Sequence, residues 1–185
     1  MTRQLYGNVH NGGLFRIPKN GMKVIGFAGW SGSGKTTLVE QVIALLEDRG
    51  LVVSLIKHAH HEFEIDYPGK DSYRHRHAGC REVLVTSGNR WALVHELRGR
   101  PELRLEEALL QLSPCDIVLV EGFKHEPIPK IEIYRSEIGK PKLFPSDPHV
   151  IAVASDKPVD ADLPQLDINQ PAMVADFIVT FLSAS

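Results

Sequence analysis

The chain has 185 residues, 43% of them hydrophobic and 24% charged, with 21 Lys and Arg against 23 Asp and Glu for a formal net charge of -2. That length suits one packed domain and is short for two, and the charge excludes a polyanion-coating role, so no nucleic-acid partner is expected. Two isolated cysteines, Cys80 and Cys115, lack metal or redox spacing and suit a reducing cytoplasm, and no apolar run approaches the roughly 20 residues that span a bilayer, so no membrane association is expected.

Taken in chain order, residues 1–21 are polar and glycine-dotted without a sustained period, and read as a flexible N-terminal arm outside a domain over 22–185. The pattern then predicts a strand over 23–28, a helix over 35–49 ending at Gly50, and a strand over 52–57, which together form a βαβ unit. A polar loop over 59–70 precedes a short helix over 71–78, capped by Asp71 or Ser72. The stretch EVLVTSGNRWALVHE predicts two strands around a Ser87-Gly88-Asn89 turn. A helix over 104–112, a buried strand over 117–120, an alternating strand over 130–134, a strand over 150–154 and a helix over 171–182 complete the pattern. The expected architecture is a three-layer α/β fold, its sheet mostly parallel, with antiparallel hairpin insertions.

The chemistry concentrates where the first strand breaks into Gly29-Trp30-Ser31-Gly32-Ser33-Gly34-Lys35-Thr36, which fits G-x-x-x-x-G-K-[ST] between a strand and a helix. Glycines there let the backbone curl until successive N–H groups point at a phosphate, and the following helix adds the positive end of its dipole. Lys35 is expected at the β- and γ-phosphates, Thr36 at Mg²⁺, and Thr37 toward the α-phosphate. An ordinary glycine-rich turn is the competing reading, and the strand and helix on either side disfavour it, so the three-layer fold is expected to be of the P-loop NTPase kind.

A loop of this kind works with a carboxylate at the end of a neighbouring strand. In CDIVLVEGFKHE, Asp116 and Glu121 bracket a strand about 16 Å long, so only one can face the loop. Glu121 is at the correct end and is expected to hold the metal or orient water, while Asp116 opens the strand. The loop KHAHHEFEIDYPGKDSYRHRHAGC should reach the same sheet edge. Asp66 is a candidate second carboxylate for the metal and for catalysis, and Lys57, His58, Lys70 and Arg74 are candidate anion contacts. His58, His60 and His61 admit a competing transition-metal reading, although no third element completes such a site.

The ordered set GWSGSGKTTL, LIKHAHH, DYPGKDSYRHRHAG, RWAL, LVEGFKHE and VIAVASD closely resembles the MobB family, the molybdopterin-guanine dinucleotide biosynthesis adapter proteins. The likeness spans all but the N-terminal arm and the segments 98–115 and 135–149. It implies a cytoplasmic, homodimeric GTP-binding protein with weak GTPase activity. The implied partners are the guanylyltransferase MobA and the molybdoenzymes, and the implied carried ligand is molybdopterin or molybdopterin guanine dinucleotide. Site residues implied by it are Ser31, Gly32, Ser33, Gly34, Lys35, Thr36 and Thr37, with Asp66, Lys70, Asp71, Ser72, Glu121 and Gly122.

No N-K-x-D motif is present for the base; Asp156, after the strand VIAVA, is the nearest substitute, and capping of a turn before Pro158 is the equally plain alternative. A P-loop small-molecule kinase and a metal or cofactor chaperone using the histidine loop are the alternative functions. Arg74, Arg76 and Arg81 fall within the family-like motif rather than an obvious kinase lid. For the dimer, KIEIYR and the hairpin around residues 82–95 are expected to supply edges, with Trp91 either an interface anchor or a core residue.

Overall fold

A computed structural model describes residues 22–59 and 63–184. The expected arm at 1–21, and His60 and His61 of the metal reading, lie outside the described residues.

Strand β1 (Lys23–Ala28) leads through the glycine loop into helix α1 (Lys35–Glu47), and β2 (Val53–Lys57) follows. Next come α2 (Asp71–His77), the hairpin β3 (Glu82–Thr86) and β4 (Trp91–His95), the single-turn α3 (Leu105–Leu109) and β5 (Ile117–Glu121). The chain continues through β6 (Lys130–Tyr134), a 3₁₀ turn at Ser136–Ile138, β7 (Val150–Ser155), β8 (Gln165–Asp167) and α4 (Pro171–Ser183).

Six strands form one parallel sheet in the order β2-β5-β1-β6-β7-β8, and β3 and β4 form a separate antiparallel pair. Central strands of a parallel sheet covered on both faces read as continuous apolar runs, as VIGFA and IVLV do. One face packs Ile25, Phe27, Ile117, Leu119, Ile131 and Ile133 under α1 and α4. The opposite face packs Val24, Val118 and Val120 against Leu105 and Leu109 of α3 and against Ile128. Helix α1 supplies Leu38, Val39, Val42 and Leu46 to the core, positions that recur with helical spacing, and the chain turns at Gly50 with φ 80°.

Four expectations need correction. Neither Asp71 nor Ser72 caps α2: Lys70 holds the N-cap position and Asp71 begins the helix. The helix expected over 104–112 is only the turn Leu105–Leu109. Strand β8 was not foreseen, because three residues are too few to show alternation.

The fourth concerns KIEIYR, which is no free edge. Strand β6 lies between β1 and β7, and both of its polar inward residues are buried, Lys130 at 1% and Glu132 at 0% exposure. The segment after β6 folds back over this face. Lys130 Nζ donates to Asp147 Oδ2 at 2.5 Å and to the Lys124 carbonyl at 2.9 Å. Glu132 accepts the backbone N–H groups of Leu143 and Phe144, each at 2.8 Å. Gly26 of β1 makes room for the lysine, since a Cβ there would meet Lys130 Cγ at 2.8 Å. An alternating pattern therefore marks a strand whose polar side is paired and covered, not solvated.

Candidate functional site

Parallel registration sets the site. Phe27 of β1, Glu121 of β5 and Lys57 of β2 stand side by side, so the loop after β1 emerges next to the carboxylate ending β5. Gly29, Gly32 and Gly34 take φ of 153°, 83° and 87°, the left-handed region that favours glycine. Gly29 also passes so close to β6 that a Cβ would lie 2.4 Å from the Ile133 carbonyl oxygen. The loop is thus bent by glycine geometry and pressed on the neighbouring strand.

Lys35 Nζ donates to the carbonyls of Gly29 at 2.9 Å and Trp30 at 2.8 Å, arching back over its own loop. Burial pushes its pKa down, the nearby Glu121 pulls it up, and Lys124 and Lys57 push it down again. Thr36 Oγ1 donates to Glu121 Oε1 at 2.9 Å, and Lys57 Nζ stands 3.4 Å from Glu121 Oε2. Glu121, 7% exposed, is therefore fixed between a hydroxyl of the loop helix and an ammonium of β2. Behind it, the backbone of His58 donates to the Glu121 carbonyl at 2.8 Å. Gly122 has φ 111° and a Cβ there would meet His58 Cβ at 2.7 Å and its carbonyl at 2.9 Å, so only glycine fits after this carboxylate.

Ser31 and Thr37 are exposed at the two ends of the loop. Ser33 is buried at 2%, and its hydroxyl is the buried side-chain polar atom without a hydrogen-bond partner among the described residues. Such a group calls for a partner from a ligand or solvent. The oxygen donors present, a threonine hydroxyl and a carboxylate, are hard ligands of the kind Mg²⁺ takes.

The second loop is organised elsewhere. Arg76, 8% exposed, collects three carboxylates: Asp66, Glu64 at 2.6 Å and Glu96 at 2.5 Å. The Arg76 guanidinium holds the Asp66 carboxyl below its usual range, with a further hydrogen bond from Ser72, and the three acids raise the arginine in turn. Lys70 and Asp71 are exposed, and Asp71 lies 3.7 Å from Arg74. Among the described residues, no hydrogen bond or ion pair joins Asp66, Lys70, Asp71 or Ser72 to the glycine loop. Asp66, expected at the metal, has Arg76 as its partner, because the short helix α2 turns Arg76 inward onto it.

His58 Nε2 lies 2.8 Å from Glu102 and its ring sits 4.9 Å from Phe123. Among the described residues no three His, Cys, Asp or Glu side chains gather as a metal site. Asp156 accepts the backbone N–H of Ser136 at 3.0 Å and its hydroxyl at 3.3 Å, and these bonds lower its pKa. It caps the turn at 136–138 rather than one before Pro158.

Sequence reasoning missed three contacts. Arg135 Nε donates to the Ser33 carbonyl at 3.3 Å, Trp30 Nε1 donates to the Pro141 carbonyl at 2.7 Å, and Lys124 Nζ lies 4.5 Å over the Trp30 ring. The segment after β6 thus clamps the loop, a relation that only strand order reveals. Two concavities of about 280 and 250 Å³ share Lys124 and His125; the second is also lined by His58 and Gly122, and neither by the loop itself. A phosphate loop presents a backbone cradle rather than a deep cavity, so the chemistry is located by the loop and Glu121.

Comparison with known proteins follows this geometry. The family model described as "MobB: Molybdopterin guanine dinucleotide synthesis protein B" matches residues 24–156, from β1 through Asp156. The chain belongs to the MobB family. It is 46% identical over 167 residues to the molybdopterin-guanine dinucleotide biosynthesis adapter protein of Escherichia coli K12, covering 89% of this chain and 95% of that one. It is 44% identical over 163 residues to the corresponding adapter protein of Haemophilus influenzae, covering 88% and 91%. A crystal structure of molybdopterin-guanine biosynthesis protein B superposes with TM-score 0.70 at 25% identity, covering 86% of this chain and 99% of that one. The Bacillus subtilis MobB structure gives 0.66 at 27% identity, covering 86% and 97%. The MobB match thus takes in the glycine loop, Glu121, Gly122 and the Arg76 cluster.

Proposed function

We propose that this protein binds GTP with Mg²⁺ in the loop 29–37, hydrolyses it slowly, and acts as an adapter in molybdopterin guanine dinucleotide synthesis. In this reading it works in the cytoplasm as a homodimer with the guanylyltransferase MobA, and delivers GTP, molybdopterin or the finished dinucleotide toward MobA and the molybdoenzymes. Family membership supports the pathway and the choice of guanine. The observation that carries nucleotide binding is the Thr36–Glu121 hydrogen bond of 2.9 Å beside Lys35, which joins the three groups a triphosphate and its metal require.

Thr36 and Glu121 would hold Mg²⁺, which when bound neutralises charge on the β- and γ-phosphates. Lys35, freed from the Gly29 and Trp30 carbonyls, would move onto those phosphates, regaining as a charge partner what burial costs it. Glu121, held between Thr36 and Lys57, would also orient the attacking water. Helix α1 offers its N-terminus to the phosphates, and Gly34 at its start keeps that approach open.

For the dimer, the supporting feature is the hairpin. Leu84, Trp91 and Leu93 project on one face with exposures of 61%, 66% and 46%, so Trp91 is not a core residue of one subunit. An apolar face on an isolated two-stranded pair suits burial in a partner. The test of the nucleotide reading is a calorimetric titration of the full chain with GTP and ATP in Mg²⁺ buffer: GTP binds and ATP binds at least about tenfold more weakly. Absence of GTP binding would refute it.

A further inference from the structure

Arg135 touches the glycine loop from the side away from Glu121. Arg135 follows the last residue of β6 at the same sheet edge as the glycine loop, on the opposite flank of β1 from Glu121. Its side chain is half-buried, its Nε donates to the Ser33 carbonyl, and a Cβ placed on Gly34 would lie 3.5 Å from Nε and 3.6 Å from Nη2. Among the described residues no carboxylate pairs with it. A half-buried guanidinium with no carboxylate partner among the described residues, resting on a loop with a phosphate-binding pattern, suits an anion.

Which phosphate it takes follows from the sheet. Glu121, Thr36 and Lys57 lie on the side of the loop toward β5 and β2, where Thr36 and Glu121 would hold Mg²⁺ and so bring the terminal phosphates to that side. On this reading the triphosphate would leave the loop toward β6, with its nucleoside end on that side. Arg135 stands on that side. Its position is fixed from the next strand: Tyr134 and Ser155 are the last paired residues of β6 and β7, and Asp156, one residue on, grips both the N–H and the hydroxyl of Ser136.

On the reading of the loop as a GTP site, we propose that Arg135 binds the α-phosphate of the nucleotide and that Asp156 is its positioning residue rather than a reader of guanine. The contact is common to di- and triphosphate, so Arg135 serves affinity and alignment rather than γ-phosphate charge.

Calorimetry of the full chain with Mg²⁺ tests this, using GTP, GDP and the two diastereomers of GDP carrying sulfur on the α-phosphate. Wild-type protein binds GDP and disfavours at least one α-thio diastereomer several-fold. Arg135→Ala binds GTP and GDP more weakly by the same factor, roughly ten- to a hundredfold, and no longer distinguishes the thio compounds. Arg135→Gln, which keeps a donor for the Ser33 carbonyl without the charge, behaves like Arg135→Ala. Asp156→Ala shows a smaller loss, equal for GTP and ATP. Three results with Arg135→Ala would overturn the assignment: unchanged affinity, a thio preference that survives the substitution, or a loss confined to GTP. If Arg135→Gln matches wild type, the arginine merely tethers the loop and the assignment fails. Failure of wild type to bind either nucleotide would remove the underlying site as well, and is distinct from a wild type that binds as its variants do.

Discussion

Lys35 is held by two carbonyls of its own loop while burial weakens its hold on a proton, so the approach of a phosphate improves its surroundings twice. Lys35→Ala should therefore leave the fold intact and lower GTP affinity about a hundredfold, read by calorimetry beside an unchanged thermal midpoint. Gly122 has the opposite character, acting through backbone alone. With φ 111° and His58 in the way, Gly122→Ala should cost about 2 kcal/mol of stability and turn Glu121 away from Thr36. Denaturant titration checks the first effect, and a fall in GTP turnover with GTP still bound checks the second.

Two elements carry testable roles of their own. The β3–β4 hairpin presents Leu84, Trp91 and Leu93 outward, and Trp91→Asp should weaken the dimer by about tenfold or more in Kd, seen by sedimentation across a concentration series. A wild-type monomer at high concentration would remove the dimer altogether. The other element is the Arg76 cluster, which ties the segment at 64–66 to α2 and to Glu96 after β4. Asp66 has a folded pKa below its ordinary 3.8, so the unfolded state binds more protons in that window. Its contribution is present above about pH 4 and is lost as pH falls through the folded value. Glu132 acts in the opposite sense: burial raises its pKa above 4.5, so its protonated form favours folding and its contribution falls as pH rises past that value. Hydrogen exchange should show the 64–77 segment opening first on acidification, and Asp66→Asn should remove the pH dependence there while leaving that of β6.

At the scale of the molecule, the strand order gathers a phosphate loop, a carboxylate and two lysines on one edge and leaves the second acidic loop in its own arginine cluster. On the proposed reading, one carboxylate at the metal and a cation on the nucleoside side would make a site that binds better than it turns over. The isolated protein should hydrolyse GTP slowly, and a partner that supplies a cation to the γ-phosphate should raise the rate by as much as about 10³. Adding MobA to a single-turnover assay measures this. Glu121→Gln preserves shape while removing the charge beside Thr36, and should lower turnover by about 10² with GTP still bound. Fast turnover by the isolated wild type would refute the assignment.

The glycine loop, its lysine and threonine, the βαβ unit and the carboxylate at the end of IVLVE were legible from residue order, because each is a local pattern: a left-handed turn needs glycine, and a strand followed by a helix has one end for a ligand. The pairing of Asp66 with Arg76, the burial of Lys130 and Glu132, and the diversion of Asp156 to Ser136 were not. Each depends on which distant segment packs over a given face, and alternation along a strand is the same whether its polar side meets water or a buried ion pair. Arg135 shows the division most plainly. Its charge is visible in the chain, but its place on the loop comes from β6 lying beside β1, a neighbour relation 102 residues long that only the folded sheet creates.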